Sequence, residues 1–158
     1  MDILNEISLF LQTSVQMGTH ILFAIVGGII CEKVGNMNLG IEGMMLMGAA
    51  VGFQVACATA NPFLAVLSAG LAGLVGALIY AFITVTLRGN QVVTGLVLTI
   101  FGTGAGQFLG EYMRVQEGSY VSLSNNLKAI FVNSPFPAFL RNIPVLGPLL
   151  FQHNILTY

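Results

Sequence analysis

Long apolar runs, broken by short polar stretches, set the pattern of this chain. Residues 1–13 mix Asp2 and Glu6 with apolar residues at helical spacing, which predicts an interfacial helical start. Residues 14–31 then carry no formal charge. About 20 apolar residues, rising 1.5 Å each, cross the hydrocarbon core of a bilayer, so 14–31 reads as a first span of minimal length. Glu32 and Lys33 break the run, and a Gly/Asn-rich stretch follows. Residues 41–60 hold no charge after Glu42 and predict a second span. Asn61-Pro62 is a turn and helix start, because Pro fits the first helical turn. A third span follows over 62–87, long enough to cross with tilt. The stretch Arg88-Gly89-Asn90-Gln91 punctuates it, with Gly89 suited to stop one helix and Asn90 to cap the next. The fourth span is 92–110. Residues 111–142 concentrate charge, Ser, Asn and Pro and predict an extramembrane loop; Tyr112, Tyr120, Phe131, Phe136 and Phe139 suit a membrane–water boundary. A fifth span begins near residue 146 and is still short of a full crossing at Tyr158. The expected fold is all-α, a polytopic transmembrane helix bundle of four spans plus the start of a fifth, forming a single domain over 1–158.

Composition agrees with this pattern. The chain is 56% hydrophobic and 7% charged, where a soluble domain averages about a quarter charged. Its mean hydropathy is +0.88. A soluble fold of this size has too much surface to lack a polar coat. A formal net charge of −1 leaves nothing to draw nucleic acid by counterion release. The first Lys or Arg is Lys33, so the positive start of a secretory signal is missing and the N-terminus is expected to be retained. Cys31 and Cys57 form no CxxC and no Cys/His cluster. They read as small buried hydrophobes, with no metal site and no cofactor expected.

Apolarity does not hold helices together in lipid, but small residues allow close backbone approach. Gly102, Gly106 and Gly110 share one helical stripe; Gly48 and Gly52 form a second, and Ala69, Gly73 and Ala77 a third, with Gly70 and Gly76 beside it. These stripes predict tight packing. The string GTGAG at 102–106 has no strand–turn–helix setting and is not a nucleotide-binding fingerprint. Met44, Met45 and Met47 are expected to fill a core.

Glu42 is the sharpest candidate for chemistry. At a helix start its carboxylate is favoured by the macrodipole, by a few tenths to about 1 kcal/mol, which makes it a capping charge. The other reading is a polar break feeding a transport path. Gly35, Gly40 and Gly43 with Asn36 and Asn38 are the composition such backbone needs. His20 lies within the first span and reads as a neutral, hydrogen-bonded side chain. Thr99, Thr103 and Gln107 follow one another at four-residue spacing beside the glycine stripe. Either the Thr hydroxyls bond back to their own helix or the three face a wet interior; Gln54 is a further uncharged polar residue within a span. No GxSxG, HExxH or P-loop occurs, so no enzymatic activity is expected.

The stretch VGNMNLGIEGMMLMGA resembles the early signature of permease subunits of ABC importers, in the family that moves simple sugars, nucleosides and branched-chain amino acids. It is most similar to the nucleoside/simple-sugar branch. The matching positions are Glu32, Lys33, Gly35, Asn38, Gly40, Glu42, Gly43, Met45 and Gly48-Ala49. LRGNQVVTGLVL, residues 87–98, resembles the family's Asn-Gln/Glu-Val-Val-x-Gly stretch, and GPLLFQHNILTY the start of a later span. Cys31 stands where the family often has Gly, and Thr99 where Asn is frequent. Family members continue through more spans and carry a cytoplasmic coupling helix, so the chain resembles the N-terminal half of such a permease.

The resemblance implies a membrane-spanning permease subunit forming part of a path for a nucleoside or simple sugar. It implies three partners in a bilayer: an ATP-binding subunit that hydrolyses ATP, a second permease subunit and an extracytoplasmic solute-binding protein. The candidate path residues are Asn38, Glu42, Asn90, Gln91, Thr99, Thr103 and Gln107. Two other readings are a truncated or structural membrane subunit and an ATP-independent transporter. If the spans alternate, Lys33 and Arg88 share a side, and the positive-inside rule puts both in the cytoplasm of a cell-membrane protein with its N-terminus outside. Cys31 and Cys57 then end spans on opposite faces, too far apart for a disulfide.

Overall fold

The computed structural model describes residues 3–118 and 121–132 continuously, and Pro137, Phe139, Gln152, His153 and Thr157 beyond them. The expected fifth span, near 146–158, and the part of the expected loop beyond Val132 fall largely outside these residues. Every element among them is helical: α1 (Ile3–Lys33), α2 (Ile41–Thr59), α3 (Pro62–Ala81) with a π-helical turn (Phe82–Thr86), α4 (Gln91–Glu117) and α5 (Asn125–Val132). Four helices are long and apolar enough to cross a membrane, over Glu6–Lys33, Ile41–Thr59, Pro62–Thr86 and Gln91–Gln116. Phe23, Ile30, Leu78, Ile100 and Phe101 are all more than half exposed. An apolar surface of that extent is one that lipid covers.

Two helices run further than the hydropathy pattern indicates. α1 is one uninterrupted helix of 31 residues, where the sequence suggested an interfacial start followed by a span. Its polar residues do not break it, because the hydroxyls of Thr13, Ser14 and Thr19 donate to Leu9 O, Phe10 O and Val15 O at 2.9, 2.8 and 2.9 Å. α4 continues past Gly110 to Glu117. An i,i+3 ion pair between Glu111 and Arg114 supports its last turns, as does a bond from Gln116 Nε2 to Tyr112 Oη at 2.9 Å. It ends at Gly118, with φ +66.

Contacts divide the chain into two compact units, Met1–Ile25 with Asn125–Tyr158, and Val26–Ser124. In the first, Ser8, Leu127 and His153 are buried, and Gln12 Nε2 donates to Gln152 O at 3.1 Å. His20 is exposed and bonds no other described residue. The expected hydrogen-bonded His is therefore absent among the described residues.

In the second unit α2 is the centre. It packs on both α3 and α4, which barely touch one another. Asn61 caps α3, its Oδ1 accepting from Phe63 N and Leu64 N at 3.0 and 3.4 Å, with Pro62 in the first turn. Asn90 caps α4 in the same way, accepting from Val93 N at 3.1 Å. Between these helices, the π-helical turn closes with Leu87 N donating to Phe82 O at 3.1 Å. Arg88, not Gly89, adopts the left-handed conformation there, at φ 53. Gly89 serves close approach instead: its N donates to Ile83 O at 2.9 Å, and a Cβ would stand 3.0 Å from Ile83 Cγ2.

The small-residue stripes meet unequally. A Cβ on Gly48 would lie 2.9 Å from Ala69 O, and one on Gly52 2.8 Å from Ala69 Cβ, so α2 and α3 are in backbone contact there. Gly70 has nothing within 4 Å. Met44 is buried against Tyr80 and Leu98, with Ala77 packed on them. Met45 is exposed and Met47 half-buried, so only one of the three methionines expected in the core lies there. Helical rotation sends the other two elsewhere.

Candidate translocation site

The stretch before α2 is non-helical backbone whose polar groups need partners. α1 ends in a Schellman motif: Gly35, at φ +84, donates to Glu32 O at 2.9 Å, and Asn36 N donates to Cys31 O at 3.0 Å. From there to Gly40 the chain is held by side chains reaching in from α3 and α4. Met37 N donates to Gln91 Oε1 at 2.8 Å, and Gln91 Nε2 donates to Gly35 O at 3.3 Å. Tyr80 Oη donates to Met37 O at 2.8 Å. Thr99 Oγ1 donates to Leu39 O at 2.8 Å. Asn38 Oδ1 accepts from Gly40 N at 2.8 Å. Three side chains distant in sequence, with Asn38, thus form a clasp around the break.

Close approach makes the clasp possible. A Cβ on Gly95 would stand 2.8 Å from Leu39 N. One on Gly43 would stand 2.5 Å from Leu98 O, and one on Gly102 2.3 Å from Gly43 O. No side chain larger than hydrogen fits where α2 crosses α4. The glycine stripe then loosens: a Cβ on Gly106 would find Leu46 O at 3.5 Å, and one on Gly110 would find nothing within 4 Å. The helices diverge from the crossing, and the space between them is a cleft of about 520 Å³. Its walls are Ala50 and Phe53 of α2, Gly106, Gln107, Gly110, Glu111, Met113 and Arg114 of α4, and Val121.

The candidate residues therefore divide by what their polar atoms do. Asn38, Gln91 and Thr99 come together at the break and satisfy its backbone. Asn90 caps α4, and Thr103 bonds back to Thr99 O at 2.8 Å. Glu42 sits exposed in the first turn of α2 with no side-chain partner among the described residues. Gln107 is exposed on the cleft wall. Sequence reasoning missed Tyr80, whose one signal was a hydroxyl inside an apolar span. It also missed Glu111, Arg114 and Phe53 as cleft residues, because the first two were read as loop.

Both ends of the unit carry acidic and basic side chains together. Glu32, Lys33, Glu42 and Arg88 are exposed near the clasp. At the other end, the Nε and a terminal nitrogen of Arg114 grip both carboxylate oxygens of Glu111. No group of three or more His, Cys, Asp or Glu able to hold a metal occurs among the described residues.

The second unit is thus a bundle of helices long and apolar enough to cross a membrane, with a clasped backbone break at one end and an open cleft beyond the α2–α4 crossing. The family described as branched-chain amino acid transport system / permease component matches residues 9–151. The chain belongs to that family. It is 37% identical over 152 residues to the "Putative glucose ABC transporter permease protein TsgC13" of Haloferax volcanii, covering 94% of this chain and 43% of that protein. It is 30% identical over 162 residues to the nucleoside ABC transporter permease protein NupC of Lactococcus lactis, covering 99% and 49%. It is 28% identical over 160 residues to the guanosine ABC transporter permease protein NupQ of Bacillus subtilis, covering 96% and 48%. The chain thus spans just under half the length of these relatives. No solved structure matches it.

Proposed function

We propose that the chain lines part of the path by which an ATP-binding-cassette importer moves a nucleoside or simple sugar across the cell membrane. The observation that carries this reading is the run of polar positions on α4. Thr99 and Thr103 stand at the tight crossing, and Gln107 continues their four-residue spacing onto the wall of the cleft. A helix facing lipid alone would have no reason to keep an amide there. Lys33 and Arg88 set the orientation by the positive-inside rule, placing the clasp in the cytoplasm and the N-terminus outside. Arg114, at the opposite end, carries its own counter-ion. The crossing of Gly43 and Gly102 then closes the inner end, and the cleft opens outward, where an extracytoplasmic solute-binding protein delivers solute.

The chain supplies no ATPase motif, so ATP hydrolysis falls to a partner subunit, with a second permease subunit completing the path. A change at the nucleotide-binding partner would separate α2 from α4 at their crossing, because the contact there is backbone against backbone and can slide without unpacking large side chains. Glu42, at the clasped break, faces that path.

The test is uptake of labelled guanosine or glucose by vesicles holding the assembled permease complex. ATP-dependent uptake is expected, reduced about tenfold or more by Gln107→Leu at unchanged membrane level. ATP-independent uptake, or a Gln107→Leu complex as active as the parent, would refute the reading. Glu42→Gln with unchanged uptake would leave Glu42 a capping charge only.

A further inference from the structure

α3 and α4 both pack on α2 and leave a groove of about 370 Å³ between themselves. Ile79 and Ile83 wall it on one side, Val97 and Phe101 on the other, and buried Tyr80 and Leu98 form its floor. Val97 and Phe101 are more than half exposed, so the groove opens on the surface that lipid covers. Its two hydroxyls are already committed. Tyr80 Oη gives its proton to Met37 O, and Thr94 Oγ1 gives its own to Asn90 O at 2.8 Å. No charged residue lines the groove. A polar solute gains nothing there, whereas an apolar chain gives up no hydrogen bond by entering. A helix is about 10–12 Å across and sets only side-chain tips into such a space; a lipid acyl chain enters it whole.

One end of the groove meets a cation. Gly89 N donates to Ile83 O at 2.9 Å and so ties the neighbouring Arg88 to the groove wall. Arg88 is exposed and has no ion-pair partner among the described residues. α4 begins at Gln91, so the positive end of its dipole lies at the same end of the groove. The exposed acids near the clasp, Glu32 and Glu42, belong to α1 and α2, not to the helices that build the groove. An apolar slot that ends at an unpaired cation fits the two parts of one molecule, a phospholipid with its acyl chain and an anionic headgroup. We propose that the α3–α4 groove binds an anionic phospholipid, its acyl chain against Tyr80 and Leu98 and its phosphate at Arg88. The site needs no solute and stands whether or not the α2–α4 cleft is a path.

The chain carries no Trp, so one added indole reports its own surroundings. Phe101→Trp places it in the groove. Phe23→Trp places it on an exposed face of α1, outside the groove, as far from Lys33 as Phe101 is from Gln91. The full chain is reconstituted in phosphatidylcholine vesicles doped with brominated phosphatidylglycerol or with brominated phosphatidylcholine, and quenching is read against mole fraction. The groove indole is expected to be half-quenched by the glycerol lipid at an about fivefold lower mole fraction than by the choline lipid. The α1 indole is expected to show no preference. Arg88→Gln abolishes the preference and leaves quenching by the choline lipid in place, while Arg88→Lys retains most of it. Val97→Trp gives the same reading from a second wall position if Phe101→Trp does not fold. In the assembled complex, with the unsubstituted complex as blank, the preference persists. Equal quenching of the groove indole by the two lipids overturns the proposal, as does a preference that survives Arg88→Gln or that the α1 indole shares. So does a groove indole shielded from both lipids, in the chain or in the complex, which is the result if a second copy or a partner helix fills the groove.

Discussion

Gly102→Ala probes the crossing most directly. The added methyl would stand 2.3 Å from Gly43 O, 2.5 Å from Gly43 C and 2.6 Å from Gly43 Cα, about 1 Å inside the 3.4 Å at which ordinary contact begins. All three are backbone atoms, so no rotamer change relieves the clash and the helices must part by about 1 Å. A gap of that size forfeits up to half of each dispersion well, or about 1 kcal/mol over roughly ten to fifteen atom pairs. The same movement stretches Thr99–Leu39 and Met37–Gln91, each 2.8 Å, beyond hydrogen-bonding range, at about 1 kcal/mol apiece. Alanine's better helix propensity returns up to about 1 kcal/mol. The net destabilisation is about 2 kcal/mol, or roughly 30-fold in the folding equilibrium. The assay is unfolding of the chain in mild detergent by added dodecyl sulfate, followed by circular dichroism. Gly110→Ala is the control, since its methyl meets nothing within 4 Å, and it is expected to be neutral or slightly stabilising. Equal midpoints for the two variants would refute the argument that the crossing is a glycine contact.

Three other outcomes are expected. Gln91→Leu removes both side-chain bonds to the break and costs about 2 kcal/mol; hydrogen exchange should show Met37 N–H losing protection while the α2 interior keeps its own. Asn61→Ala strips the two bonds that cap α3 and lowers stability by about 1 kcal/mol in the same titration, with uptake unchanged. In a background lacking native cysteines, Lys33→Cys is expected to react with an impermeant thiol reagent only in inverted vesicles, and Ala58→Cys only in right-side-out ones. The reverse pattern would invert the topology.

Much of the architecture was legible as pattern. Apolar runs between Glu32-Lys33, Asn61-Pro62 and Arg88-Asn90 coincide with helices long and apolar enough to cross a membrane, because a bilayer core demands about 20 apolar residues of any crossing helix. Asn61 and Asn90 were readable as caps because capping is local, spanning two or three residues. The Gly/Asn-rich break before Glu42 was readable as irregular backbone for the same reason. Helix length beyond the apolar run was less visible, since the Glu111–Arg114 and Tyr112–Gln116 pairs extend α4 with polar residues that hydropathy counts as loop.

Tertiary structure decided which of the similar residues matter. Three glycines share one stripe on α4, yet Gly102 alone presses on a backbone, Gly106 stands at ordinary contact distance and Gly110 faces open space. The angle between α2 and α4 sets that gradient, and no spacing along one helix encodes an angle between two. The same holds for Gln91, Thr99 and Tyr80, whose partners lie 43 to 60 residues away in sequence. Periodicity records whether a side chain meets oil or water; only the packed helices determine which backbone atom waits within reach of it.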